Sequence, residues 1–252
     1  MCAFAGGHAG PLEFVMKVLV VGAAGKVGGI IRDALEGAHD CYYYDRHAVS
    51  GREDRTTIAD VNDEAKIREA LEGMEGVVYL AAGRHAGARD EYGDPDVAMS
   101  VNVAGWFRLL ELGLAMGVRR FVYASSMSVY RSDRMLGRVE SDLPSCWDTY
   151  GVSKVLAEEV CRLAARACPE AVLVALRLVY PSTEREWREA ERAHPGHWWQ
   201  PTGPVDTGRL FLAALACERA GAHVLNVGGD AGDTAYCKDV ARATIGWAPR
   251  GE

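Results

Sequence analysis

The stretch Lys17-Val18-Leu19-Val20-Val21, followed by Gly22-Ala23-Ala24-Gly25-Lys26-Val27-Gly28, decides the fold of this chain. Its first part is short, apolar and rich in β-branched residues, which is typical of a strand that is buried on both faces. Apolar residues then recur at helical spacing from Val27 to Leu35. A strand, a run of spaced glycines and a helix together predict a turn that presents helical N–H groups to a phosphate.

Each glycine of this turn has a separate expected task. Gly22 permits the tight turn, Gly25 lets the backbone approach a pyrophosphate, and Gly28 lets the helix pack closely on the strand. Lys26 and Val27 open the helix and are expected beside the same ligand. The alternative is an ordinary glycine-rich turn that binds nothing.

The rest of the chain alternates between strands and helices, which predicts an α/β fold with a doubly wound, Rossmann-type parallel sheet. Further strands are predicted at 41–44, 56–59, 76–80, 120–124, 172–178 and 223–227, and further helices at 63–71, 94–116, 149–167, 205–219 and 238–245. We expect a loose N-terminal extension at 1–15 and a dinucleotide-binding domain with the catalytic residues at 16–178. A small substrate-binding region at 179–252 would complete the fold.

Composition restricts the class of protein. The chain has 252 residues, 49% of them hydrophobic, and a formal net charge of −7, which argues against partners such as nucleic acid or an anionic membrane. No apolar run reaches the roughly 18–20 residues that span a bilayer.

The seven cysteines form no C-x-x-C pair, which suits a reducing compartment. The first 15 residues carry no Lys or Arg, unlike a secretory signal, so a cytoplasmic location is expected.

Acidic residues follow the second and third predicted strands. Asp45 is placed to accept hydrogen bonds from both ribose hydroxyls of an adenosine, which favours NAD over NADP because a 2′-phosphate would be repelled. Arg46 is the residue that would instead pair with such a phosphate. Asp60 and Val61 are placed to reach the adenine edge, although a carboxylate there equally suits a helix N-terminus.

Tyr150 and Lys154 are four residues apart near the start of a predicted helix, so their side chains share one face. An ammonium near a phenol favours the phenolate and lowers a pKa that is ordinarily about 10. A general base for alcohol oxidation needs this change. Ser126 follows an apolar strand at the edge of the sheet where ligands bind, and its hydroxyl is suited to hold a substrate oxygen.

In combination these residues resemble the extended short-chain dehydrogenases/reductases, specifically the NAD-dependent epimerase/dehydratase family. The matching pieces are VVGAAGKVGG (20–29), YYYDR (42–46), YLAAG (79–83), VNVAGWFRLLELG (101–113), RRFVYASSMSVY (119–130) and YGVSK (150–154). The resemblance implies NAD as the cofactor and Ser126, Tyr150 and Lys154 as the catalytic residues, with Tyr150 and Lys154 also contacting the cofactor. It further implies that Ala81, Ala82 and Gly83 pass close to NAD and that Asn102 stabilises the helix behind the site. Helices 94–116 and 149–167 would form the face of a homodimer.

Two departures from the family pattern bear on the substrate. The chain has Arg177-Leu178-Val179-Tyr180-Pro181 where the family usually carries an Asn-x-x-Gly-Pro segment. Few residues follow Lys154, which leaves little room for a bulky nucleotide sugar. Members related to uronate dehydrogenase are similarly short and end in a pattern like Gly246-Trp247-x-Pro249. A sugar acid would need an arginine for its carboxylate. The candidates for substrate binding are therefore Arg185, Arg188 and Arg209, each alternatively a solvated surface residue, together with Ser125.

These observations predict an oxidoreductase that transfers a hydride between a small sugar, sugar acid or related polyol and the nicotinamide. An epimerase that retains its cofactor is the second hypothesis, and a non-catalytic dinucleotide-binding sensor is the third. The segment 181–204, rich in Trp, Arg and Glu, suits a lid or a wall of the substrate site. His194 and His197 are separated by Pro195 and Gly196 and have no third ligand nearby, so no metal site is predicted.

Overall fold

The computed structural model describes residues 15–83, 94–130, 137–194, 201–233 and 235–251. The predicted extension, except for Val15, lies outside these ranges, as does His197.

Seven parallel strands form one sheet in the order β3-β2-β1-β4-β5-β6-β7. Strand order reverses between β1 and β4, so the chain leaves the sheet in opposite directions there and opens a crevice at the carboxyl ends of the strands. This arrangement confirms the predicted doubly wound sheet. The strands are β1 (Lys17–Val21), β2 (Asp40–Asp45), β3 (Thr56–Ile58), β4 (Gly76–Tyr79), β5 (Arg120–Ser126), β6 (Val172–Leu178) and β7 (Gly221–Val227).

Helices cover both faces of this sheet. They are α1 (Lys26–Glu36), α2 (Glu64–Leu71), α3 (Pro95–Ala98), α4 (Trp106–Ala115), α5 (Thr149–Ala167), α6 (Glu184–Ala193), α7 (Pro204–Leu215) and α8 (Asp239–Ile245), with a π-helical segment at Met99–Gly105. Successive residues of β1 alternate between the two layers of the core. Val18 and Val20 pack on the side of α1 and α7, and Leu19 and Val21 pack on the side of α4 and α5.

Several boundaries differ from the sequence prediction, among them the start of β7, which lies at Gly221 and not at residue 223. The strand predicted to end at residue 124 continues to Ser126, because the last two residues still pair with Arg177 and Leu178 of β6. The helix predicted at 94–116 is interrupted by the π-helical segment. The helix predicted at 205–219 is shorter in the structure and ends at Leu215.

Helix α6 was not predicted, because its apolar face is short (Trp187, Ala190 and Ala193) and lies among charged residues. None of its residues is buried. It is held instead by a capping box, in which Thr183 and Glu186 satisfy each other's backbone N–H groups. Arg188 also pairs with Glu184 one turn earlier. Polar contacts at its first turns therefore contribute much of what holds this helix.

The continuous helical run Pro95–Ala115 is long and apolar enough by length and mean hydropathy to cross a membrane, which corrects the prediction that no segment is. In this fold the run lies against the sheet, and its buried residues belong to the core: Ala98, Trp106, Leu109, Leu110 and Leu112. Its apolar character is therefore explained by packing.

Candidate active site

The glycine turn between β1 and α1 has a shape that side chains would prevent. Gly22 has a φ of +82°, and a Cβ there would overlap the backbone of Ala81. A Cβ on Gly28 would overlap the carbonyl of Ala23. Gly25 is the N-cap of α1, and no side chain caps this helix. The first N–H groups of α1 therefore remain available to an anion.

Asp45, the last residue of β2, lies directly beside this turn. Its Oδ2 accepts a hydrogen bond of 3.0 Å from the N–H of Ala24, and its Oδ1 accepts one of 3.0 Å from the N–H of His47. The carboxylate is thereby fixed between the phosphate turn and the end of the strand, which is where an adenosine ribose is expected.

Asp60 follows β3 at the same edge of the sheet. Its Oδ1 accepts hydrogen bonds from the backbone and side chain of Asn62, and its carbonyl accepts one of 2.7 Å from Tyr44. The N-cap of α2 is Asp63, whose Oδ1 accepts from the N–H of Lys66 at 3.1 Å. The helix-capping alternative considered for Asp60 is therefore wrong.

An elongated cleft of about 630 Å³ joins these elements across the point where strand order reverses. It brings together most of the predicted cofactor residues: Gly22, Gly25, Lys26, Val27, Asp45, Arg46, Asp60, Val61, Ala81, Ala82 and Gly83. Its size and its glycine-lined floor fit an extended dinucleotide.

Asn102 is buried behind this cleft and connects it to helix α5. It lies in the π-helical segment, and its Oδ1 accepts a hydrogen bond of 2.7 Å from the N–H of Gly83. Its Nδ2 donates to Ser153 at 2.9 Å, and Ser153 donates in turn to the carbonyl of Tyr150 at 2.7 Å. One amide side chain thus links the loop after β4 to the first turn of α5.

Lys154 is buried at the centre of the site. Its Nζ donates to the carbonyl of Ala124 at 2.7 Å and to the hydroxyl of Tyr123 at 3.2 Å, and it lies 5.4 Å from the ring centroid of Tyr150. Burial lowers the pKa of Lys154 to about 7, an effect that the negative charge of Glu158 opposes. The ammonium is therefore close to its titration point at neutral pH.

Ser126 and Tyr150 are brought to the same end of the sheet. Ser126 ends β5, and its Oγ accepts a hydrogen bond of 3.1 Å from the N–H of Ser128. Helix α5 begins immediately against this turn, because Gly151 leaves no space for a Cβ beside the carbonyl of Ser128. Asp148 caps the helix by accepting from the N–H of Gly151 at 2.8 Å. The half-buried Tyr150 consequently emerges next to the end of β5.

The candidate substrate residues are dispersed. Ser125 is buried and donates a 2.6 Å hydrogen bond to Glu158, which leaves it unavailable to a substrate. Arg209 pairs with Asp206 at 2.6 Å and also contacts the carbonyl of Ala248. Arg185 and Arg188 are exposed on α6.

Helix α6 itself lies beside the cofactor cleft, because its Glu186 forms a 2.8 Å ion pair with Lys26 of the phosphate turn. Within the described ranges, no three His, Cys, Asp or Glu side chains are grouped as a metal would require.

Sequence reasoning missed a buried pair behind the catalytic residues, Glu158 of α5 and Arg177 of β6. Two of their hydrogen bonds are parallel, at 2.9 and 2.8 Å. A carboxylate four residues after Lys154 and an arginine inside an apolar strand were the available signals.

Comparison with known proteins agrees with this geometry. The model of a family described as NAD dependent epimerase/dehydratase matches residues 18–196. An L-arabinose 1-dehydrogenase (NAD(P)(+)) from Haloferax volcanii is 33% identical over 155 residues, covering 56% of this chain and 58% of that protein. An NAD-dependent glucose-6-phosphate dehydrogenase from the same organism is 26% identical over 259 residues, covering 92% of each. The solved structure of a mutated uronate dehydrogenase has the same fold, with a TM-score of 0.75 at 21% identity over 94% of this chain and 82% of that one.

Proposed function

Because this chain belongs to the NAD-dependent epimerase/dehydratase family, we propose that it is a dehydrogenase that moves a hydride between a small sugar, sugar acid or related polyol and NAD. The observation that carries the proposal is the placement of the Lys154 ammonium beneath Tyr150, next to the strand end that carries Ser126. A protein that only senses a dinucleotide has no need of such a proton-transfer arrangement.

The cofactor would lie along the cleft with its pyrophosphate on the glycine turn, because the N–H groups at the start of α1 are available to an anion there. Gly22 and Gly28 permit the shape of this turn, since a Cβ on either would overlap neighbouring backbone. Asp45 would accept hydrogen bonds from the adenosine ribose, and Lys154 would hold the nicotinamide ribose. NAD, when bound, supplies the hydride acceptor.

The protein's own contribution is the movement and placement of a proton. Tyr150 would remove the proton of the substrate hydroxyl as the hydride leaves the same carbon, and the Lys154 ammonium would stabilise the resulting phenolate. Ser126 would donate a hydrogen bond to the substrate oxygen and hold it near Tyr150. The two electrons leave with the hydride, and the proton leaves through Tyr150.

The choice of a small substrate rests on the relatives, whose names state arabinose and glucose 6-phosphate as substrates. A UDP-glucose 4-epimerase from Erwinia amylovora also matches, at 28% identity over 182 residues. An epimerase that retains its cofactor is therefore the second candidate.

The test is the absorbance at 340 nm of purified protein with NAD and a panel of arabinose, glucose 6-phosphate, a uronate and UDP-glucose. Accumulation of NADH with one substrate, and its loss in Tyr150→Phe, is the expected result. Interconversion of sugars without NADH release would replace the dehydrogenase by an epimerase. Calorimetric NAD binding with neither outcome would favour the sensor.

We also propose a homodimer formed through α4 and α5. Phe107, Leu156 and Leu163 are large apolar residues on these helices, and they are 53%, 43% and 54% exposed. Sedimentation should give a dimer for the wild-type chain and a monomer for Phe107→Glu/Leu163→Glu. A monomeric wild type would refute this assembly.

A further inference from the structure

Glu158 and Arg177 form an ion pair that is buried from solvent. Glu158 Oε1 accepts from Arg177 Nε at 2.9 Å, and Glu158 Oε2 accepts from Arg177 Nη2 at 2.8 Å. The relative side-chain exposures are 0% and 1%. Parallel hydrogen bonds of this kind fix both groups in a single orientation.

The pair is hydrogen-bonded to the strand end beside Ser126 and lies one helical turn from Lys154. On one side, Ser125 donates to Glu158 at 2.6 Å, and Ser125 directly precedes Ser126 in β5. On the other side, Glu158 lies one helical turn after Lys154, whose pKa is raised by its charge against the effect of burial. Ser125 is also the register partner of Arg177 across the two strands.

Polar groups from several neighbouring elements face the pair, and the negative charge of Glu140 also acts on Arg177. Arg177 donates to the hydroxyl of Tyr130 and lies 3.5 Å from Oδ1 of Asn226 in β7. Arg162, one turn further along α5, approaches Glu158 at 3.8 Å. Around Lys154 itself stand the hydroxyl of Tyr123 in β5 and the ring of Tyr150.

Stability does not account for this arrangement. Two charges lose their hydration when they are buried, and replacing a buried ion pair by apolar side chains of similar volume is often neutral or stabilising. The features that an apolar pair lacks are a bond to the strand end at Ser125 and a negative charge near Lys154.

We propose that Glu158 and Arg177 are positioning residues: the pair fixes the end of β5 that presents Ser126, and the Glu158 carboxylate keeps Lys154 protonated beside Tyr150. This inference rests on the proposed function for its meaning in catalysis. Arg177 holds the Glu158 carboxylate in place and provides it with two hydrogen-bond donors within the core.

The main test is the double variant Glu158→Gln/Arg177→Met, because it removes both charges and leaves no buried ion without a partner. Glu158→Gln alone leaves the Arg177 charge buried and is therefore prone to misfolding. The matched control is Glu159→Gln, which makes the same change one residue later on α5, at an exposed carboxylate that pairs with Arg162 at 3.2 Å. Thermal melts followed by circular dichroism establish that each variant is folded.

The first readout needs no substrate. Phenolate absorbance at 295 nm is titrated in each background with and without Tyr150→Phe, and the difference gives the pKa of Tyr150. Without the Glu158 charge, Lys154 loses its proton at lower pH and supports the phenolate less. We expect the Tyr150 pKa to rise by about one unit in the double variant and to stay unchanged in Glu159→Gln.

The second readout is turnover. In the double variant, the acidic limb of the plot of kcat against pH should shift to higher pH by about one unit. At a given pH on that limb, kcat is then roughly tenfold lower. Ser125→Ala should lower kcat without moving the limb, since it removes the bond to Glu158 but no charge.

A folded double variant with a wild-type Tyr150 titration would overturn the inference and leave the pair a structural one. Absence of turnover with every substrate would count against the proposed function alone, because the titration still decides whether Glu158 acts on Tyr150 through Lys154.

Discussion

The glycine turn after β1 and the first turns of α5 both lie at the carboxyl ends of the parallel strands, but they provide their polar contacts in opposite ways. At the turn, side chains are missing: Gly22 and Gly28 lie where a Cβ would overlap backbone, and N–H groups provide the polar contacts. At α5, side chains provide the polar contacts, and the buried Lys154 ammonium donates hydrogen bonds to two oxygen atoms. The turn should therefore be sensitive to added volume, and α5 to altered charge and hydrogen bonding.

The largest effect is expected at α5, where Lys154→Met removes the ammonium while it roughly keeps the volume. Without it Tyr150 returns toward an ordinary phenol, so kcat should fall by about 10³-fold. Steady-state kinetics measure this, with Lys66→Met as control because Lys66 is an exposed residue paired with Glu69. Retention of more than a tenth of wild-type kcat would show that charge is not what α5 contributes.

The next effect tests volume at the turn. Gly28→Ala should weaken NAD binding at least about 100-fold, or roughly 2.7 kcal/mol, because the new Cβ would overlap the carbonyl of Ala23 and displace the start of α1. Calorimetric titration with NAD measures this.

The adjacent variant Gly29→Ala is its matched control, since a Cβ there meets nothing within 4 Å. It should leave the affinity unchanged and stabilise the helix by about 0.5–1 kcal/mol. Equal losses of affinity in both variants would contradict the volume explanation.

Asn102 connects α5 to the loop after β4, which in turn packs against the glycine turn at Gly22, so its removal should impair both regions. Asn102→Ala leaves the N–H of Gly83 and the hydroxyl of Ser153 without their buried partner, and we expect about 2–3 kcal/mol lower stability in urea unfolding. Asn62→Ala removes exposed hydrogen bonds to Asp60, Ser100 and Arg108 and should lower stability by less, at most about 1 kcal/mol. Loss of turnover with unaltered NAD binding would show that the two regions are independent.

The smallest effect concerns an ion pair near the surface, at the far end of α1 from the glycine turn. Hydrogen bonding from Arg52, assisted by Tyr43 and opposed by burial, lowers the pKa of Glu36 to about 2. A lowered carboxyl pKa contributes stability that is present above the ordinary pKa of about 4.5 and is lost as pH falls toward 2.

Glu36→Gln should thus lower the free energy of unfolding by at most about 1 kcal/mol at pH 7. The difference in stability between the wild type and this variant should become smaller as pH falls from 4.5 to 2. Urea melts at pH 7, 4 and 3 measure it. A gap that is independent of pH would mean that Glu36 acts through its shape and not its charge.

The parts of this molecule that could be predicted from sequence are those whose pattern is local. The glycines of the turn, the apolar run of β1 and the Tyr150–Lys154 spacing each lie within a few residues, and the structure forms the predicted strand, turn and helix there. Helix α6 has only a short apolar face, at Trp187 and Ala190, and it was overlooked although Thr183 and Glu186 form its capping box.

The buried pair was missed for a different reason. Glu158 and Arg177 are 19 residues apart, and their pairing depends on how α5 packs against β6. Ser125 was predicted as a candidate for substrate binding, but alternation along a strand directs its side chain to the face opposite that of Ser126. Its hydroxyl accordingly meets Glu158 instead.

The π-helical segment Met99–Gly105 has a consequence for how this family of chains can change length. A π turn accommodates one residue more than an α turn, so losing one residue here would let the run close as a regular α-helix. The helical segments on either side would keep their relative orientation, because the π turn had already absorbed the extra residue. Asn102 lies inside the segment, so closing it would move this side chain away from Gly83 and Ser153 while the flanking residues stayed in register.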